Sequence, residues 1–129
     1  MTSSQTRLSP MSGFISEWID ALRSGNYKQG VSFLRKGDEF CALGVACDLL
    51  KREFPPVIDQ NGVYRYDGML SELSSAIRLR IGLPSESFGK RIQLKNGKVV
   101  TSISEANDEG ADFNEIADLI ERLDSETIC

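Results

Sequence analysis

Apolar residues recur along the chain with two different periods, and the period changes from segment to segment. Phe14, Ile15, Trp18, Ile19 and Leu22 fall on one stripe at helical spacing, which predicts an amphipathic helix over about 13–24. Ser12 is placed to cap its start, and Gly25 to close it in the left-handed region. Residues 25–37 hold three glycines and read as a connector, with a short helical or extended piece at 31–34. From 39 to 53, Phe40, Cys41, Leu43, Val45, Ala46, Cys47, Leu49 and Leu50 surround the helix axis. A helix apolar on nearly all sides is a buried, central one. Pro55-Pro56 ends it. Gly44 inside it costs about 1 kcal/mol relative to alanine, so a close helix or strand contact is expected there.

Two Asn-Gly pairs, Asn61-Gly62 and Asn96-Gly97, predict β-hairpins at 57–66 and 91–101 with type I′ turns. Between them Leu70, Leu73, Ile77 and Ile81 return to helical spacing, with Gly82-Leu83-Pro84 as a stop signal. Ser102 caps a short helix closed by Gly110. Asp112 and Glu115 have the spacing of a capping box. Phe113, Ile116, Ala117, Ile120 and Leu123 follow as the apolar face of a helix ending near Asp124. The expected fold is α+β: a compact single domain of about five helices around a buried central helix, with two short β-hairpins. The domain takes residues 13–124, between a flexible N-terminal tail (1–12) and a C-terminal tail (125–129).

Composition narrows the chemistry. At 129 residues the chain has single-domain length. It contains no histidine, which removes Ser-His-Asp and Cys-His catalysis and histidine-ligated metals. Its net charge of −4 argues against general nucleic-acid binding. Its apolar stretches are too short for a membrane span, and the polar N-terminal residues lack a signal peptide's apolar core. Three cysteines, Cys41, Cys47 and Cys129, fit free thiols in a reducing, cytoplasmic setting.

Three segments carry a resemblance: WIDALRSGNYKQ at 18–29, FCALGVACDLL at 40–50 and ANDEGADFNEIADLIE at 106–121. In this order they resemble an uncharacterised family of small bacteriophage and bacterial proteins. Its motifs are W-x-x-A-L-x-S-G-x-Y-x-Q, C-[CA]-L-G-V and N-D-x-G-x-x-F-x-x-I-A. The resemblance implies a phage-type accessory protein and supplies no activity. Cys41-Ala42 stands where many relatives carry two cysteines, so adjacent thiols are not what this chain uses.

Cys41 begins the buried segment, where a helix dipole favours a thiolate. It lacks a histidine base and follows Asp38 and Glu39, so packing is its expected role. Residues 105–116 look superficially like a calcium loop, with Glu105, Asn107 and Glu109 at the first ligand positions. The twelfth position, normally glutamate, is Ile116, and the metal reading fails on register.

Charge is uneven. Residues 78–104 carry Arg78, Arg80, Lys90, Arg91, Lys95 and Lys98 against Glu86, net +5. Residues 105–129 carry nine acids against Arg122, net −8. The basic segment is either an anion site or the internal partner of the acidic helix. Tyr27 and Gln29 follow Gly25 in a loop where neither periodicity nor capping demands them, which makes them site candidates.

The expected function is non-enzymatic: an accessory binding protein that captures a host protein or a small anionic, nucleotide-like phosphorylated ligand to counter host defence. If phage-encoded, it works in the host cytoplasm. Tyr27, Gln29, Arg78, Arg80 and Arg91 are the ligand-binding candidates, with no catalytic residue, metal, cofactor or membrane partner expected. The alternatives are a small histidine-free hydrolase or transferase using carboxylates such as Asp108 and Glu109, or a virion or assembly component.

Overall fold

The computed structural model describes residues 11–83 and 87–128. Expectations for residues 1–10, Pro84, Glu86 and Cys129 lie outside the described residues. The fold is α+β, with five helices and two small sheets among the described residues. Helix α1 (Met11–Arg23) buries the expected stripe of Phe14, Ile15, Trp18, Ile19 and Leu22. It includes Met11 and Ser12, so Ser12 lies within the helix rather than capping it or belonging to a tail.

Helix α2 (Ala42–Leu49) is the central one, with every residue from Ala42 to Cys47 buried. It is shorter than 39–53 because Glu39–Phe40 form a strand and Cys41 becomes the N-cap, its Sγ accepting the Gly44 N–H at 3.4 Å. Cys41 and Cys47 are buried free thiols. The expected close approach at Gly44 is real: a Cβ there would lie 1.7 Å from the Leu34 carbonyl oxygen. Trp18 crosses to the same helix and donates its indole N–H to the Ala42 carbonyl at 2.9 Å.

The connector 25–37 contains strand pieces that periodicity did not reveal. Strands β1 (Lys28–Gln29), β2 (Arg35–Lys36), β3 (Glu39–Phe40), β4 (Val57–Ile58) and β5 (Val63–Arg65) make one sheet in the order β1-β3-β2-β5-β4. The expected hairpin at 57–66 is therefore one side of a larger sheet. Only the β1–β3 pair is parallel. Strands β6 (Ser87–Gln93) and β7 (Val99–Ser102) form the second hairpin.

Neither Asn-Gly turn is type I′. Positive φ occurs at Gly62 (+78°) and Gly97 (+93°) but not at the asparagines. Both connections are longer than two residues, with Gly62 N–H returning to the Asp59 carbonyl and Gly97 N–H to that of Leu94. A turn ending in a left-handed glycine is the alternative hairpin solution.

Helix α3 (Ser75–Ile81) starts later than the Leu70 periodicity suggested, at a Ser74 cap, and ends at left-handed Gly82. Helix α4 (Ile103–Asp108) has the expected Ser102 cap. Helix α5 (Phe113–Ile128) continues past Asp124, so the expected C-terminal tail is helical through Ile128. Asp112 accepts the Glu115 N–H as predicted, but the Glu115 carboxylate turns to the Lys95 N–H at 2.7 Å instead of completing the box. Helix α1 packs along α5, tied at the surface by Arg23 to Asp118 and Glu121 at 2.6 and 3.0 Å.

Candidate functional site

Residues directly opposite each other in a sheet share a face. The register therefore builds one row across all five strands: Gln29, Phe40, Arg35, Tyr64, Ile58. Arg35 stands in the middle. Its guanidinium carbon is 4.6 Å from the centre of the Phe40 ring and 4.0 Å from that of Tyr64. Its Nε donates to the Gly37 carbonyl at 2.7 Å. A guanidinium held between two rings has little freedom left and is oriented in advance.

Helix α2 brings the acid. Asp48 is the single charged residue between Phe40 and Leu50, and its side chain is 13% exposed. Tyr27 donates its hydroxyl to Asp48 Oδ2 at 2.6 Å. Lys51 Nζ lies 3.6 Å and Arg35 Nη1 3.9 Å from Asp48 Oδ1. Burial, then the bond to Asp48, raises the Tyr27 pKa, so the phenol remains a donor. The Tyr27 ring meets Phe40 edge-on at 5.0 Å.

Tyr66 closes the cluster from below. Its ring stacks beside Tyr64 at 6.3 Å, and the residue is fully buried. Its hydroxyl has no hydrogen-bond partner. Burial pushes its pKa up to about 12, while nearby Arg35 opposes the rise without meeting the hydroxyl in good hydrogen-bond geometry. A buried unpaired hydroxyl costs on the order of 1–3 kcal/mol. The row ends at the sheet edge in Ile58, 54% exposed, beside exposed Val57.

Gln29, at the other end of the row, serves a different cluster. Its amide donates to Asn107 Oδ1 at 3.0 Å and to the Ala111 carbonyl at 2.8 Å. Asn107 is 2% exposed. It accepts the Ala42 N–H at 3.1 Å, capping α2, and donates to the Gly30 carbonyl at 2.8 Å. Asp108 accepts the Ser32 N–H at 3.1 Å.

The basic candidates lie elsewhere. Arg80 makes a two-point pair with Glu53 at 2.7 and 3.0 Å. Arg78, half-buried on α3, contacts Ser75 at 3.3 Å. Arg91 is exposed on β6. Lys98 pairs with Glu109 at 3.0 Å, and Asn96 donates to the Glu109 carbonyl. The would-be calcium oxygens are engaged by other groups of the chain: Glu105 accepts from Thr101, Asn107 from Ala42, and Glu109 from Lys98. Among the described residues no group of three or more acids or cysteines could hold a metal, and no helix is long and apolar enough to cross a membrane.

Residues 13–124 match a domain of unknown function, DUF8296. The chain belongs to this family. No curated protein and no solved structure matches it. In this DUF8296 chain, Tyr27 joins the arginine–aromatic cluster through its hydrogen bond to Asp48. Tyr66, like Tyr27 and Trp18, is an amphipathic aromatic of the kind that lines interfaces, but Arg35, Asp48 and Tyr64 were not singled out by sequence. The available signal was Asp48, a lone carboxylate in an apolar segment, because such a charge requires partners when buried.

Proposed function

We propose that the protein is a non-enzymatic accessory binding protein that captures its partner through the Arg35–Tyr64–Ile58 part of the sheet face. The single observation that carries this reading is the placement of Arg35 between Phe40 and Tyr64, next to an exposed apolar edge. Arginine and tyrosine dominate the energetics of binding surfaces, and pre-oriented groups lose less freedom on association. The motif resemblance to small phage proteins supports a phage-type accessory role. Its partner would be a host protein or a small anionic ligand, and capture would counter a host defence in the host cytoplasm.

A phosphorylated ligand on the basic segment has less support. Arg80 and Lys98 are paired with Glu53 and Glu109, which favours internal pairing of that segment. The test is mass spectrometry of molecules retained by protein purified from a host cell. Arg35→Ala with Tyr64→Ala is expected to lose them, while Arg78→Ala with Arg91→Ala keeps them at little cost in stability. The reverse pattern would move the site to the basic segment.

A further inference from the structure

The two Asn-Gly turns share one backbone plan and differ in what holds the asparagine side chain. In each, the glycine N–H returns to an earlier carbonyl, Gly62 to Asp59 at 3.1 Å and Gly97 to Leu94 at 2.9 Å. In each, the N–H of that earlier residue crosses the hairpin, from Asp59 to the Val63 carbonyl and from Leu94 to that of Lys98. Both glycines have positive φ, and both asparagines are exposed. Asn96 is tied twice: its Oδ1 accepts the Lys98 N–H and its Nδ2 donates to the Glu109 carbonyl, both at 2.9 Å. In the first turn the counterpart of the Lys98 N–H belongs to Val63, and the Asp59 carboxylate takes it at 3.1 Å. The same carboxylate oxygen accepts the Asn61 N–H at 2.8 Å. Position 94, the counterpart of Asp59, is leucine and cannot compete with Asn96 in this way. The Asn61 side-chain amide is left with no hydrogen-bond partner among the described residues.

We propose that Asn61 is a site of spontaneous isoaspartate formation and that Asn96 is spared by its two bonds. The Gly62 amide nitrogen, having given its proton to solvent, attacks Asn61 Cγ. The new N–Cγ bond closes a five-membered imide. The Cγ–Nδ2 bond breaks, and Nδ2 leaves as ammonia after taking a proton from solvent. Water then adds to the imide. Opening at the Cγ–N bond leaves an ordinary aspartate at position 61. Opening at the backbone carbonyl routes the chain through Cβ and Cγ, which is isoaspartate. Nothing is oxidised or reduced. Glycine obstructs the attack least, because it has no Cβ. The backbone rearrangement is common to both turns, so the side-chain bonds decide between them. Each bond is worth about fivefold, so Asn61 should react on the order of tenfold or more faster than Asn96. Isoaspartate also lengthens the turn, and turn length fixes the register of a hairpin. Strand β4, at the sheet edge and paired to β5, then loses that pairing.

The test ages the full-length protein in mildly alkaline buffer, folded or unfolded in urea, and follows both turns by peptide mass mapping. An isoaspartate-specific methyltransferase with a labelled methyl donor separates isoaspartate from aspartate. In the folded protein Asn61 should lose ammonia about tenfold or more faster than Asn96, with isoaspartate among its products. In urea the two should react at similar rates, since both precede glycine. Equal rates in the folded protein, or faster reaction at Asn96, would overturn the proposal. So would an Asn61 that stays intact while the unfolded chain reacts, or one that yields only ordinary aspartate. A difference that persists undiminished in urea would belong to the local sequence and would overturn the role of the two bonds. Asn61→Asp adds the charge without lengthening the backbone. Hydrogen exchange over 57–66 should therefore speed up in the isolated isoaspartate fraction and stay at the level of fresh protein in Asn61→Asp. Exchange unchanged in the isoaspartate fraction, or equally fast in Asn61→Asp, would overturn the coupling to β4.

Discussion

Two polar clusters sit at opposite ends of α2 and differ in how their hydrogen bonds are matched. At the first turn, Asn107 gives and receives bonds to Gly30, Ala42 and Gln29, all within 2.8–3.1 Å. At the last turn, Asp48, Arg35 and Tyr66 leave an ion pair at 3.9 Å and a hydroxyl with no partner. A matched buried network fixes a fold, and an unmatched one costs stability unless something else completes it. Polarity and partial burial are common to both, so the mismatch is what separates a structural tie from a candidate surface.

Variants should widen or collapse that difference. The largest effect is expected at the contact that holds α2 between the two clusters. Gly44→Ala pushes a methyl into the Leu34 backbone, which cannot yield as a side chain can. A loss of about 3 kcal/mol or more, or failure to fold, should appear in urea denaturation. Asn107→Ala comes next, at about 2–4 kcal/mol, because it leaves the buried Ala42 N–H and the half-buried Gly30 carbonyl unpaired. A loss under about 0.5 kcal/mol would mean that the tie is dispensable.

Alkaline pH acts on the other cluster. The Tyr27 and Tyr66 pKa values are raised above the ordinary 10.0, so the folded state keeps protons that the unfolded state gives up. Their contribution is complete below about pH 10 and is lost as pH rises through the folded values. The melting temperature should fall in that range, and Tyr27→Phe should flatten the fall. The smallest effect is Tyr66→Phe. Removing an unpaired hydroxyl should change stability by less than about 1 kcal/mol, with a gain the expected sign. A large loss in thermal denaturation would show that Tyr66 has a structural partner.

The helices were legible because burial writes itself into long periodic patterns. The stripe from Phe14 to Leu22 and the face from Phe113 to Leu123 each repeat over several turns. The stops at Gly25, Gly82 and Gly110 follow from the left-handed residue that a helix end needs, and all three have positive φ. The five-stranded sheet was not legible, since most of its strands are two residues long, too short to show alternation. Its pairings join residues far apart in sequence, such as Arg35 with Tyr64, and no local pattern encodes them. Reasoning from loop position led to Tyr27 in the unmatched cluster and, two residues on, to Gln29 in the matched one. Sequence alone does not distinguish those outcomes.

Hydrogen exchange, measured with and without the molecules retained from host cells, tests most directly which surface binds. Capture at the sheet face predicts new protection at 34–40 and 57–66 and on the last turn of α2, with little change at 75–83 and 87–98. Protection confined to 75–83 and 87–98, with the sheet unchanged, would contradict the account and return the site to the basic segment.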